Sequence, residues 1–301
     1  MKRLTSIISL AVFAFCMLST SVMAADKDPF ARYIRPVSNP VYAQDARNVT
    51  YFKIVHMHQK MPEYIDTVLG NVKLDGDFNV TAVQLGYAIN ERFSIVAEKT
   101  GYVDFDPDYT LDNENGWADY GAGIKYALIF NPEKQFILST RVMVELTQGS
   151  REVFQGNGEG NVAASLTFLK GLGKWQFSGT AGAVLPIEGD HESMVVYDNW
   201  HVSYALTEKI RPLIELNHFA VIDEGDRDEL VSSIINFEGG DLINTGSDHG
   251  KRNKHIVTLA AGFRFRCMKN LDIGMTYELP LTDKNDNLMR DRWTFDIVLH
   301  F

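Results

Sequence analysis

Asp291-Arg-Trp-Thr-Phe-Asp-Ile-Val-Leu-His-Phe301 closes the chain, and its pattern decides how the rest is read. Trp293, Phe295, Ile297, Leu299 and Phe301 share one alternating set. Arg292, Thr294, Asp296 and His300 share the other, with Val298 as its one apolar member. Successive side chains of a strand point to opposite faces, so this is one strand with an apolar side and a polar side. The pattern fits a strand that meets lipid on its outer side and a polar interior on its inner side.

The opposite end carries an export signal. Lys2 and Arg3 precede the apolar run Ile7 to Leu18, and Val22-Met23-Ala24 offers a small-x-small cleavage site. Residues 1–24 therefore read as a secretory signal peptide, too short in its apolar part to span a bilayer as a helix. Phe15 is too large to precede a lipidated cysteine at Cys16. Cleavage removes two basic residues and no acidic one, which takes the formal charge from -10 to -12. Cys267 is then the only cysteine, so no internal disulfide is available. No later segment approaches 18 consecutive apolar residues, which excludes a helical span. The acidic balance argues against nucleic acid as a partner.

Twelve strands can be marked, at 49–59, 76–89, 92–103, 118–130, 135–147, 161–171, 174–186, 195–206, 210–222, 251–266, 271–281 and 291–301. Each is close to the roughly 9–11 residues that a tilted strand needs to cross a bilayer. Strand 1 and the 210–222 strand alternate less cleanly, and their faces stay open. Short turns at 90–91, 131–134, 171–173, 207–209 and 267–270 alternate with long loops at 60–75, 104–117, 148–160, 187–194, 223–250 and 282–290. Transmembrane barrels have this order, with short periplasmic turns and long extracellular loops.

The expected fold is all-β: a transmembrane antiparallel up-and-down β-barrel of about twelve strands over 49–301, in the outer membrane of a Gram-negative bacterium. Both termini come out periplasmic. Phe301 closes the last strand in a way that resembles the C-terminal signal read by the barrel-assembly machinery. Tyr87, Tyr126 and Tyr204 precede short turns and, with Phe263, Phe265 and Phe301, are expected to form an aromatic girdle. Residues 25–48, with Pro29, Pro36 and Pro40, lack strand patterning and read as either a periplasmic arm or a lumenal plug.

The inward phases collect charge: Glu98, Asp119, Glu145, Glu215, Asp272, Glu278 and Asp296 as acids, and Lys125, Arg141, Arg264, Arg266 and Arg292 as bases. These twelve are the pore-lining candidates. The competing reading is a set of ion pairs that fills a narrow barrel; twelve strands lie between the packed and open cases, so both stand. Asp104, Asp106, Asp108, Asp112 and Glu114 resemble a calcium loop, but Tyr109 stands where the sharp turn needs glycine, and a solvated acidic loop is expected. Residues 223–250, with Asp223, Glu224, Asp226, Asp228 and Glu229, read the same way. His201-x-Ser203 with Asn217 has the residue types of a barrel lipase, but both side chains point inward, away from lipid, and a lumenal histidine is expected. His56-x-His58 is read as part of strand 1 and not as a metal site.

Arg35-Pro-Val-Ser-Asn-Pro40, Tyr87-Ala-Ile-Asn-Glu-Arg-Phe-Ser94, Lys170-Gly-Leu-Gly-Lys-Trp-Gln-Phe177 and Glu278-Leu-Pro-Leu-Thr-Asp283 resemble a family of outer-membrane barrels. It is labelled as transporters of the MetA-pathway of phenol degradation type. The resemblance covers most of the mature chain and implies uptake of small apolar or aromatic compounds; its motifs are turns and strand ends, which assign no residue to that task. The expected function is passive passage of small solutes without covalent chemistry, cofactor or metal. Expected partners are outer-membrane lipids and lipopolysaccharide, the assembly machinery, and small-molecule solutes. The alternative is a closed structural or surface-interaction barrel that binds a partner through its loops.

Overall fold

A computed structural model describes residues 28–227 and 234–301; the signal peptide expected at 1–24 lies outside the described residues. The strands in chain order are β1 (Tyr51–Lys60), β2 (Tyr64–Ile65), β3 (Val72–Lys73), β4 (Asp77–Asn90), β5 (Phe93–Lys99), β6 (Tyr102–Asp106), β7 (Glu114–Trp117) and β8 (Tyr120–Asn131). They continue as β9 (Phe136–Leu146), β10 (Asn161–Leu172), β11 (Trp175–Pro186), β12 (Met194–Tyr204), β13 (Ile210–Asp223), β14 (His255–Met268), β15 (Leu271–Pro280) and β16 (Asp291–His300).

Neighbouring strands of the wall pair antiparallel, β2 and β3 pair apart from it, and β1 pairs with both β4 and β16, so the sheet closes on itself. Closure leaves no edge, which a lipid-facing sheet requires because no water reaches its backbone. β5 with β6 and β7 with β8 each make one broken stave, which gives a closed antiparallel barrel of twelve staves. At the first break the β5–β8 register slips between Ala97 and Lys99. Glu98 and Lys99 then both reach the interior, although alternation alone would send Lys99 outward.

The outward faces agree with the alternation. Ile273, Phe295 and Ile297 are exposed, and Asp272, Thr294 and Asp296 are buried on the inner side. The open faces are settled too: β1 turns Tyr51, Lys53, Val55, Met57 and Gln59 inward, and β13 turns Arg211, Leu213, Glu215 and Asn217 inward. Tyr87, Tyr126 and Phe263 are exposed on the outer wall near the short-turn end.

Two boundaries need correction. The segment expected as an acidic loop at 104–117 is largely sheet: β6 and β7 prolong the wall as a hairpin, with Asp104 and Asp106 outward and Val103 and Phe105 buried inward. Carboxylates on one face of a strand resemble a loop only when the other face is ignored. The strand expected from 251 begins instead at His255, after a turn.

Candidate functional site: the barrel interior

Residues 33–50 lie inside the barrel, with Phe30 buried ahead of them and Pro29, Ala31 and Arg32 exposed. Phe30, Tyr33, Ile34, Val37 and Ala46 are buried, as are Arg35, Ser38, Asp45 and Arg47. The segment has no regular secondary structure, so its backbone groups need partners from outside, and the wall supplies them. Gln176 of β11 accepts from Ile34 N (2.9 Å) and donates to Ile34 O (2.8 Å). Glu215 of β13 accepts from Val37 N and Ser38 N at 2.9 and 2.7 Å. Lys125 of β8 donates to the carbonyls of Asp45 and Arg47, Ser139 of β9 to that of Ala46, and Gln84 of β4 to that of Pro40. Arg141 donates to Val41 O and Arg292 to Ser38 O, each at 3.1 Å. Pro36 and Pro40 carry no N–H, which reduces the donors that the segment must satisfy.

The wall also makes room for the segment. A Cβ on Gly171 would stand 1.5 Å from the Tyr33 hydroxyl, so only glycine fits beneath that ring. Within the segment, Asp45 pairs with Arg47 at 2.7 Å and with Arg35 at 3.5 Å. Burial works against the Asp45 charge, but Arg47, Arg35 and Lys125 outweigh it and hold the carboxyl well below the usual range.

All twelve charged candidates face the interior, and most are engaged with one another. Arg264 forms a bidentate pair with Asp296 (2.8 and 2.9 Å), with Lys53 3.4 Å away on β1. Arg292 holds Glu278 (2.8 Å) and Asp241 (2.8 Å). Arg266 holds Asp272 at 2.9 Å, and Arg141 holds Glu98, which also accepts from the Tyr51 hydroxyl. Glu145 is paired with Lys99. Asp119 accepts from the backbone N–H groups of Gly149 and Gly156, fastening a long loop to the wall. The sequence reading missed Lys53, Lys99, Arg211 and Asp241. Lys99 was hidden by the bulge, Lys53 and Arg211 by strands whose faces were open, and Asp241 because it belongs to a loop that folds inward.

The long-loop end is apolar inside. Val55, Met57, Phe78, Val80, Val103 and Phe105 on the wall pack with Met61, Leu74, Val153, Ile235, Phe237, Ile243 and Leu288 from the loops. The 223–250 loop is therefore not simply solvated: Glu238 is buried and accepts from Ser193 Oγ (2.7 Å) and Thr245 Oγ1 (2.6 Å). Asp223 does meet solvent and pairs with Lys251, whereas Asp228 and Glu229 lie outside the described residues. Cavities beside the inner segment measure about 30 Å³ against the apolar wall and about 10 Å³ near Glu215. Those volumes hold one or two water molecules.

The other constellations take ordinary places. His201 Nδ1 lies 2.7 Å from Glu215 Oε1, and Asn217 bonds to Asn199, Ser38 and Glu278. His56 and His58 point outward and bond to Thr81 (2.9 Å) and Asn79 (2.7 Å) on β4. Among the described residues no group of three or more His, Cys, Asp or Glu is placed to hold a metal ion.

No protein-family model and no curated protein sequence matches the chain. Solved structures do. The chain is similar to an outer membrane channel from Pseudomonas putida F1, with a TM-score of 0.63 and 14% identity over 89% of this chain and 100% of that one. It is also similar to the NanC porin, with a TM-score of 0.50 and 8% identity over 83% of this chain and 100% of that one. At these identities the likeness is one of fold, that of outer-membrane channel and porin barrels.

Proposed function

We propose that this chain is an outer-membrane channel for small solutes whose lumen is kept closed by its own N-terminal segment. The observation that carries the reading is the segment 28–50 hydrogen-bonded to inward residues of β4, β8, β9, β11, β13 and β16. A barrel that served only as a scaffold could fill its lumen with side chains, as small barrels do. Here the filling is a peptide tethered at one end to β1 and held by hydrogen bonds that water can replace. The similar folds of the P. putida channel and the NanC porin support a channel role. Short turns and both termini are assigned to the periplasm, where a departing segment would have room.

Small apolar or aromatic compounds are the proposed solutes, in line with the resemblance to phenol-degradation-type transporters. The apolar wall of Val55, Met57, Phe78, Val80 and Val103 supports this reading. No covalent step is assigned to any residue.

Single-channel conductance of residues 25–301 in a planar bilayer tests the proposal. The intact protein is expected to be nearly silent and a variant lacking 25–48 to conduct. A folded deletion variant that is also silent would favour the alternative, a closed barrel that works through its loops.

A further inference from the structure

Arg211 differs from the other arginines around it. Arg47, Arg141, Arg264, Arg266 and Arg292 each hold a carboxylate. Arg211 is the second residue of β13, points inward and is 8% exposed. It makes no hydrogen bond or ion pair with any described residue, and its Nε is sealed off without an acceptor.

Its surroundings deepen the deficit. The charges that act on it most strongly are Arg266, Asp272, Arg47 and Arg32, three of the four positive, and it stands directly across the ladder from Arg264. Asp272 is already committed to Arg266 and lies 3.4 Å from His300. Asp45 is taken by Arg47, and Asp296 by Arg264. Arg32 bonds to the Tyr33 hydroxyl and, among the described residues, to no carboxylate. A buried guanidinium without a counter-charge is strongly unfavourable, and its planar fork matches the paired oxygens of carboxylates and phosphates. Arg211 stands next to the short turn 205–209, at the end of the barrel away from the long loops.

We propose that Arg211 is the centre of an oxyanion-binding site at the short-turn mouth of the barrel, taking one carboxylate or phosphate group with Arg266 and Arg32 beside it. The site does not depend on whether the barrel conducts.

The test is thermal unfolding of residues 25–301 in detergent micelles, followed by circular dichroism, as sodium phosphate or sodium acetate replaces sodium chloride at constant ionic strength. The melting temperature is expected to rise and saturate. A stronger response to phosphate identifies a phosphate site, and a stronger response to acetate a site for the carboxylate of an organic solute. Arg211→Met should abolish the rise and, in chloride, be at least as stable as the unsubstituted protein. Arg211→Lys keeps the charge but loses the fork, and should need on the order of tenfold more anion for half-saturation; it serves if the methionine variant does not fold. A flat response to both anions, or an undiminished rise in both variants, overturns the proposal. So does a rise that appears only in Asp26→Asn, which would assign Arg211 to a carboxylate of the chain's own N-terminus.

Discussion

Arg264 and Asp296 meet on the inner face of the wall over Gly274 of β15, at 2.8 Å and both almost completely buried. Asp296 also has Lys53 3.4 Å away, so removing the carboxylate leaves two buried cations uncompensated, and Asp296→Ala is expected to lower stability by about 3–5 kcal/mol. Replacing the whole cluster, as Arg264→Met and Lys53→Met with Asp296→Leu, should recover most of that loss. The remainder measures what Arg264 adds by donating to the carbonyls of Arg35 and Pro36 (3.3 and 3.4 Å). Guanidinium unfolding in lipid vesicles reads both variants. Glu192, in the loop before β12, gives a pH-dependent counterpart. Burial, reinforced by Glu145, pushes its carboxyl up to about 7 from an ordinary 4.5. The folded state thus favours the protonated acid: stability is full below pH 4.5 and declines as pH rises toward 7. Glu192→Gln should flatten this part of the stability–pH curve, and an unchanged slope would assign it to other groups. The inward phase of the twelve charged candidates was legible from alternation. Most of their partners were not, because most pairs join residues far apart in sequence or, like Lys99, depend on a bulge; Arg266 and Asp272, opposite each other in one hairpin, are the exception.

Among the elements, the inner segment and the stave beneath it define each other. Residues 25–48 showed no strand patterning, so their irregular backbone was legible; their position was not, because every anchor is supplied by a distant strand. Gly171 is the tightest point of contact. Gly171→Leu should force out the Tyr33 ring, which is held by a 2.9 Å hydrogen bond to Gln135, while the side chain needs no change in the β10 backbone. The expected result is a folded barrel with raised single-channel conductance. Normal folding with unchanged silence would mean that the segment does not control passage. The hairpin of β6 and β7 shows the opposite error of reading: its acidic outer face suggested a loop, while Val103 and Phe105 on its inner face mark a strand.

For the whole molecule, the polarity of the wall reverses along its height. On β4, Val83, Leu85, Tyr87 and Ile89 point outward and Gln84 inward; nearer the long loops, Asn79 and Thr81 point outward while Phe78, Val80 and Ala82 are buried inside. The same change occurs on β1 between Ile54 and His56. Below that level the protein is turned toward lipid; above it, water surrounds the wall and the apolar groups turn inward to form a core with the loops. The edge can be mapped by charge insertion. Leu85→Arg, well inside the lipid-facing stretch, should cost about 2–4 kcal/mol and Thr81→Arg about 0–1 kcal/mol, measured by unfolding in vesicles. Equal costs would place the edge elsewhere. The sequence by itself determined the closed all-β barrel, its twelve staves and the outward faces of most of them, because lipid imposes a strict period of two and paired backbone everywhere. Only the tertiary structure decided what fills the lumen, which charges meet and where the wall changes sign. Those depend on contacts between distant residues, and above the membrane the solvent that sets the pattern is exchanged.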